Sequence, residues 1–199
     1  GKQLIRTLGV RDLDSLTQVS AELKGTSNGR WVEHVKVFPK SKVTAAITQR
    51  KLATTTTTKS PYAFGDKKGD GVGNAVQVAM SGSYYSSFTY DAAKGLYVKH
   101  RGNLTTPVHT AYDGDPIAVK NVIVMYGNRF QEDAEHISFT LSSGTGVLLV
   151  NGTSREIKWS RTNSQLTFTE TDGTPLTVAV GKTYVLLTSA GLKSRTVIN

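Results

Sequence analysis

Two stretches decide how this chain folds: Asn121-Val122-Ile123-Val124-Met125-Tyr126, and further on Val147-Leu148-Leu149-Val150-Asn151-Gly152-Thr153. The first is an unbroken apolar run of strand length. The second sets Asn-Gly between two segments of strand character, and that dipeptide readily supplies the two positive-φ residues of a type I′ hairpin. Working outward, Ile137, Phe139 and Leu141 alternate with His136, Ser138 and Thr140, and Ile157 and Trp159 share a face of the hairpin's return strand. Leu166 and Phe168 lead to an Asp172-Gly173 turn. Leu176, Val178 and Val180 lead to Gly181-Lys182, and Tyr184-Val185-Leu186-Leu187 closes the set. Short strands at this spacing, with turns between them, predict an antiparallel sandwich or a partly closed barrel.

Upstream the same pattern begins at Asn74. Val76, Val78 and Met80 alternate with Gln77 and Ala79, and Tyr84, Ser86, Phe88 and Tyr90 share a face. Asp91-Ala92-Ala93-Lys94-Gly95 reads as a turn with its glycine left-handed, returning into Leu96-Tyr97-Val98-Lys99. Lys67 to Gly73 is rich in glycine and reads as a loop or hairpin tip. Before Pro61 the pattern changes. Residues 1–16 read as short helical pieces, Trp31 to Phe38 alternates as a short strand would, and Ser41 to Ala53 is the best helix, with Ser41 as cap and Val43, Ala46 and Ile47 on one face. Thr54 to Thr58 reads as an extended connector. The expected fold class is therefore α+β, predominantly β: a partial α/β segment over residues 1–60, then an antiparallel β domain over residues 61–199.

Lys and Arg number 24 against 15 Asp and Glu, a formal net charge of +9, which favours anionic partners. The basic residues form no polybasic run, and the longest cluster, Lys94 to Arg101, is interrupted by Gly95, Leu96, Tyr97 and Val98. The absence of cysteine excludes a disulfide framework, a thiolate metal site and a cysteine nucleophile. No apolar run approaches the roughly 20 residues of a membrane-spanning helix.

His34, His100, His109 and His136 stand at no metal-ligand spacing, so no metal and no cofactor are expected. Ser81-Gly82-Ser83 lacks the nucleophile-elbow pattern, and Gly69-Asp70-Gly71-Val72-Gly73 lacks the Lys-Ser/Thr of a phosphate loop. Asp66, Asp70, Asp113 and Asp115 lack the spacing of a calcium loop. Tyr84, Tyr85, Tyr90, Tyr97 and Tyr112 are dense beside Lys99 and Arg101; aromatics interleaved with bases bind sugars or single-stranded nucleic acid, and in strands they also serve cross-strand packing. The absence of any helix-turn-helix, zinc-finger or RRM signature argues against nucleic acid as the partner.

Phe88-Thr89-Tyr90-Asp91, Gly95-Leu96-Tyr97-Val98-Lys99, Asn121-Val122-Ile123-Val124, Gly144-Thr145-Gly146, Asn151-Gly152, Trp159, Asp172-Gly173 and Gly181-Lys182-Thr183-Tyr184 occur together in an order and spacing that resembles the C-terminal domain of the YerB-like lipoproteins of Gram-positive bacteria. The match runs from about Pro61 to Leu187. Asp12-Leu13-Asp14-Ser15-Leu16 and the Ser41 to Leu52 helix resemble the close of that family's N-terminal domain, whose front, with its lipid-anchored cysteine, is absent here. This chain departs from the family at Glu33-His34-Val35, where Pro-His-Asn is usual, and at Lys99, where Arg is usual. His34 matches a family histidine.

The resemblance implies an extracytoplasmic protein that reaches the membrane only through a lipid anchor absent from this chain, and it carries no established activity. The expected function is a non-enzymatic module binding an anionic envelope polymer or an envelope protein, with His34, Tyr84, Tyr85, Tyr97, Lys99 and Arg101 as candidate binding residues. The alternative is an enzyme whose active site lies at the junction of the two parts near His34.

Overall fold

The computed structural model describes residues 40–49, 51, 60–111, 114–134, 136–163 and 165–199. The chain divides into two compact units, Gly1–Thr57 and Thr58–Asn199. The helical pieces read over residues 1–16, the Trp31 to Phe38 strand, the Thr54 to Thr58 connector and His34 lie outside the described residues.

In the first unit, helix α1 spans Lys40–Gln49. It begins one residue ahead of the expected cap, so Ser41 is inside the helix, and it ends before Ala53. Lys51 at φ 50° has left the helical region, and its N–H bonds Thr48 O at 3.1 Å. Val43 and Ile47 are half-buried while Thr44, Ala45, Thr48 and Gln49 are exposed, the one-sided pattern that the spacing predicts.

The second unit is predominantly β, and none of its sheets closes into a barrel. Its larger sheet has the order β11-β10-β9-β7-β13, built from β7 (Asn121–Gln131), β9 (Ser143–Val150), β10 (Thr153–Thr162), β11 (Gln165–Glu170) and β13 (Thr183–Ser189). The short β2 (Gly71–Val72) also pairs with β10, and β8 (Ile137–Thr140) with β7. A second sheet has the order β14-β3-β4-β5-β6, with β3 (Ala75–Ala79), β4 (Tyr85–Asp91), β5 (Leu96–His100), β6 (Ala118–Val119) and β14 (Val197–Ile198). β1 (Ala63–Phe64) pairs with β12 (Thr177–Val178) as a small third sheet.

The two decisive stretches occupy the middle of the sandwich. Every residue from Asn121 to Gly127 is buried, because β7 is covered on both faces. Val122, Val124 and Tyr126 turn toward the five-stranded sheet and join Val76, Val78, Phe88 and Tyr97. Ile123 and Met125 turn the other way, to Ile157, Trp159, Phe168, Leu176 and Val178. Asn151 and Gly152 stand at φ 50° and 74°, the left-handed pair a type I′ turn requires. The Gly144-Thr145-Gly146 motif has a packing cause. Gly144 lies opposite Trp159, and a methyl on it would stand 2.7 Å from the indole, whose N–H donates to Thr145 O at 3.0 Å.

Two features differ from the alternating pattern. β13 runs parallel to β7, with Thr183 opposite Asn121 and Ser189 opposite Gly127; the strands β8 to β12 between them serve as the crossover that a parallel pair needs. Val180 is 77% exposed although it follows buried Leu176 and Val178 at period two. The register breaks at Ala179, whose N–H bonds Asn121 Oδ1 at 3.0 Å and whose carbonyl accepts from Asn121 Nδ2 at 2.9 Å. That clamp satisfies a fully buried Asn121 and ends the strand, and Gly181 at φ 145° turns the chain into β13.

A candidate ligand cleft on strand β10

β10 is paired along one edge with β9 from Thr153 to Ser160. Its other edge is shared. β2 takes Thr153 and Ser154, and β11 takes Ile157 to Thr162. Arg155 and Glu156 stand where those two ladders meet on that edge. A cavity of about 620 Å³ opens beside them. Its wall is formed by the end of β11 and the turn after it, by the Lys67 to Gly71 segment, and by Lys193, Thr196 and Ile198.

The glycines of the 69–73 segment explain how β2 lies there. A methyl at Gly71 would stand 2.8 Å from Ser154 Oγ, and methyls at Gly69 and Gly73 would collide with the backbone of Ser154 and Thr153. None of the three has a positive φ among the described residues, so the glycines permit close approach rather than a turn.

Arg155 is the fixed point of the cleft. Its side chain is only 7% exposed, and Nε lies 3.1 Å from Glu170 Oε2. Nη1 donates to Lys67 O at 2.7 Å and Nη2 donates to Thr177 O. Lys67 Nζ stands 3.2 Å from Glu170 Oε1, so the buried carboxylate faces two cations. Such charge-assisted contacts hold a guanidinium rigidly. Lys193, also in the lining, has its Nζ 5.5 Å from the centre of the Tyr126 ring and 3.4 Å from Glu156 Oε1. Burial raises the Tyr126 hydroxyl above its ordinary pKa. Asp172 accepts from Thr174 N–H and Oγ–H, which holds its carboxyl below the ordinary range. Lys68 and Asp70 make no hydrogen bond or ion pair with any described residue and face the cleft with free charge.

The lining thus carries four basic and four acidic side chains. That balance suits a ligand bearing both signs of charge. Ser154 donates its hydroxyl to Val72 O at 2.6 Å, so it has no base to activate it as a nucleophile. No three Asp, Glu or His side chains among the described residues converge to hold a metal ion.

The described residues among those singled out from the sequence lie elsewhere. Tyr84 is 60% exposed at the turn between β3 and β4, and the Tyr85 hydroxyl accepts from Arg195 Nη2 at 2.6 Å, with the guanidinium carbon 5.7 Å from the ring centre. Arg101 is exposed just past β5, and since Ser87 pairs with His100 it lies at the same end of the sheet as Tyr84 and Tyr85. Tyr97 and Lys99 face inward instead. Tyr97 is fully buried and its hydroxyl donates to Gly73 O at 2.9 Å and accepts from Gly152 N–H at 3.1 Å, tying the two sheets together. Lys99 is 8% exposed, with Nζ on Ser86 Oγ at 3.1 Å and His100 O at 3.2 Å, above the rings of Phe88 and Tyr184. Burial lowers its pKa. His100 is held between Thr89 Oγ1 and Thr106 O, and exposed His136 pairs with Asp133.

The cleft residues escaped sequence reading because no motif marks them. The one available signal was the period-two glycine series at 69, 71 and 73, which marks close backbone packing as well as flexibility.

No curated protein matches this chain. The crystal structure of the YerB protein from Bacillus subtilis is similar to it in fold, with a TM-score of 0.65 and 18% sequence identity over 80% of this chain and 53% of that one. The chain thus spans about half the length of that protein. The profile of the C-terminal domain of a protein of unknown function, DUF3048, matches residues 76–185, from β3 into β13. With more than half of its length so matched, and with the fold of YerB, the chain belongs to this YerB-like family.

Proposed function

We propose that the chain is a non-enzymatic binding module of an extracytoplasmic, membrane-anchored protein, and that its β unit takes an envelope component or an envelope protein in the cleft on β10. The observation that carries this reading is the pairing of a rigid buried wall, Arg155 with Glu170, with the unpartnered rim charges Lys68 and Asp70. Preformed concave sites with a few fixed polar groups are where ligands bind.

Charge distribution refines the expectation of an anionic polymer. Residues 1–57 carry ten basic and four acidic side chains, and residues 58–199 carry fourteen and eleven. Attraction to a polyanion therefore resides mostly in the first unit, whereas the cleft is balanced. The alternative, an enzyme centred on His34, concerns a residue outside those described and gains no support from the cleft.

The test is retention of the full chain on purified cell envelope at low and high salt, beside the charge reversals Lys68→Glu and Asp70→Lys. Retention weakened by either reversal supports the cleft as the site. Retention indifferent to both, or none at all, overturns it. Loss in high salt alone would assign binding to diffuse basic charge.

A further inference from the structure

We infer that Asn151-Gly152 is a latent modification site: a succinimide-forming pair that the Tyr97 hydroxyl holds shut, so that its conversion to aspartate or isoaspartate waits on local separation of the two sheets. The chemistry begins with the sequence. Where glycine follows asparagine, no side chain shields the next backbone nitrogen from the asparagine side-chain carbonyl. Once the Gly152 N–H has lost its proton to hydroxide, that nitrogen adds to Asn151 Cγ. The N–Cγ bond forms, the Cγ–Nδ2 bond breaks, and Nδ2 leaves as ammonia, taking its extra proton from water and regenerating hydroxide. Water then adds to either ring carbonyl and opens the succinimide, giving aspartate from one and isoaspartate from the other. Water is the only reagent consumed.

The fold supplies the pair and blocks the step. Asn151 is half-buried, and its side-chain amide bonds no described residue, so no described contact restrains the electrophile. The nucleophile is restrained on every side. Gly152 N–H donates to the Tyr97 hydroxyl at 3.1 Å, and Gly152 O accepts from Gly73 N–H at 3.0 Å. A methyl on Gly152 would stand 2.9 Å from the Tyr90 ring, so that ring lies against its Cα. Tyr97 does not serve as the base. Its own proton is committed to Gly73 O at 2.9 Å, and burial raises its hydroxyl above the ordinary pKa. Deprotonating Gly152 would set an amide anion against the oxygen of a fully buried side chain, which is costly. Tyr97 belongs to β5 and Gly152 joins β9 to β10, so release of the amide requires the sheets to part at this point.

Peptide mapping by mass spectrometry tests this, with the folded full chain and the urea-unfolded chain incubated in mildly alkaline buffer. Mapping resolves Asn151 from the other Asn-Gly pair of the sequence, Asn28-Gly29. Folded wild type is expected to convert at Asn151 about a hundredfold more slowly than the unfolded chain. Tyr97→Phe, which removes the acceptor and keeps the ring, should convert about tenfold faster than wild type. Thr188→Val deletes a buried hydroxyl bond of the same kind, to Ala79 O, far from the turn in sequence, and should convert at the wild-type rate. The Gly152 amide of the wild type should also exchange its hydrogen as slowly as the ladder amides of β9 and β10. Conversion of folded wild type at the unfolded rate, equal rates for Tyr97→Phe and wild type, or equal acceleration by Thr188→Val overturns the inference. So does loop-like exchange at Gly152, a reading that needs no variant to fold.

Discussion

Among the described residues of the β unit two cationic side chains, Arg155 and Lys99, are buried, and the regions around them treat a charge in opposite ways. Arg155, in the wall of the cleft, keeps a carboxylate and two carbonyls within reach. Lys99, in the interior between the sheets, has a hydroxyl, one carbonyl and two aromatic faces, with no acid among its described partners. Desolvation acts on both, since each is more than nine-tenths buried. Only Arg155 has a counter-charge to offset it, and only there does the fold hold charge fixed beside open space. The comparison teaches that the useful charge lies at the edge of the sheet and the tolerated one inside the sandwich.

The largest effect should come from breaking the offset pair. Glu170→Ala leaves a buried guanidinium without its carboxylate and is expected to cost about 3–5 kcal/mol in urea denaturation. A loss below about 1 kcal/mol would show that Lys67 O and Thr177 O suffice. Lys99→Met should do the reverse. It removes a charge that had no acid partner while keeping the volume, and its stability should stay within about 1 kcal/mol of wild type or rise. A large loss would mean that the Ser86 and ring contacts outweigh desolvation.

The same difference predicts a pH dependence. The folded pKa of Lys99 lies below its ordinary value of 10.5, so between the two the unfolded chain binds the extra proton. Stability contributed by this site is lowest when Lys99 is charged in both states, and it rises as pH climbs through that window. Lys99→Met should abolish the rise, measured by thermal unfolding across alkaline pH. The smallest effect belongs to the rim. Lys68→Ala and Asp70→Ala should each change stability by less than about 0.5 kcal/mol while weakening ligand binding, because neither side chain has a partner to lose.

The turns were legible because each has a local cause. Asn151-Gly152 shows the paired positive φ, Gly95 stands at φ 64°, and Asp91 Oδ1 accepts from Ala93 and Lys94 N–H as an Asx turn does. Apolar runs in β7 and β9 likewise announced strands buried on both faces. Strand direction was not legible. A period of two is the same read either way, and nothing in Tyr184 to Leu187 distinguishes a parallel partner from an antiparallel one. Nor was the role of Tyr97 and Lys99, whose odd positions put both on the inward face of β5 once Phe88 is seen opposite Lys99. The cleft depends on Arg155 meeting Glu170 across a hairpin and Lys67 reaching both from a distant loop. Those meetings follow from register and tertiary closure, which residue types alone do not specify.

The placement of β13 and β14 has a consequence for how the chain acquires its structure. β7 is emitted midway through the β unit, yet its neighbour β13 follows only after five further strands, and Ala75 exchanges both backbone hydrogen bonds with Asn199. Contacts of such separation make formation slow, because loop-closure entropy is lost before they are made. During synthesis the most apolar strand therefore waits with one edge open, a state prone to strand-mediated association. Folding of this unit should be a late and nearly all-or-none event, completed only when residues 183–199 have left the ribosome.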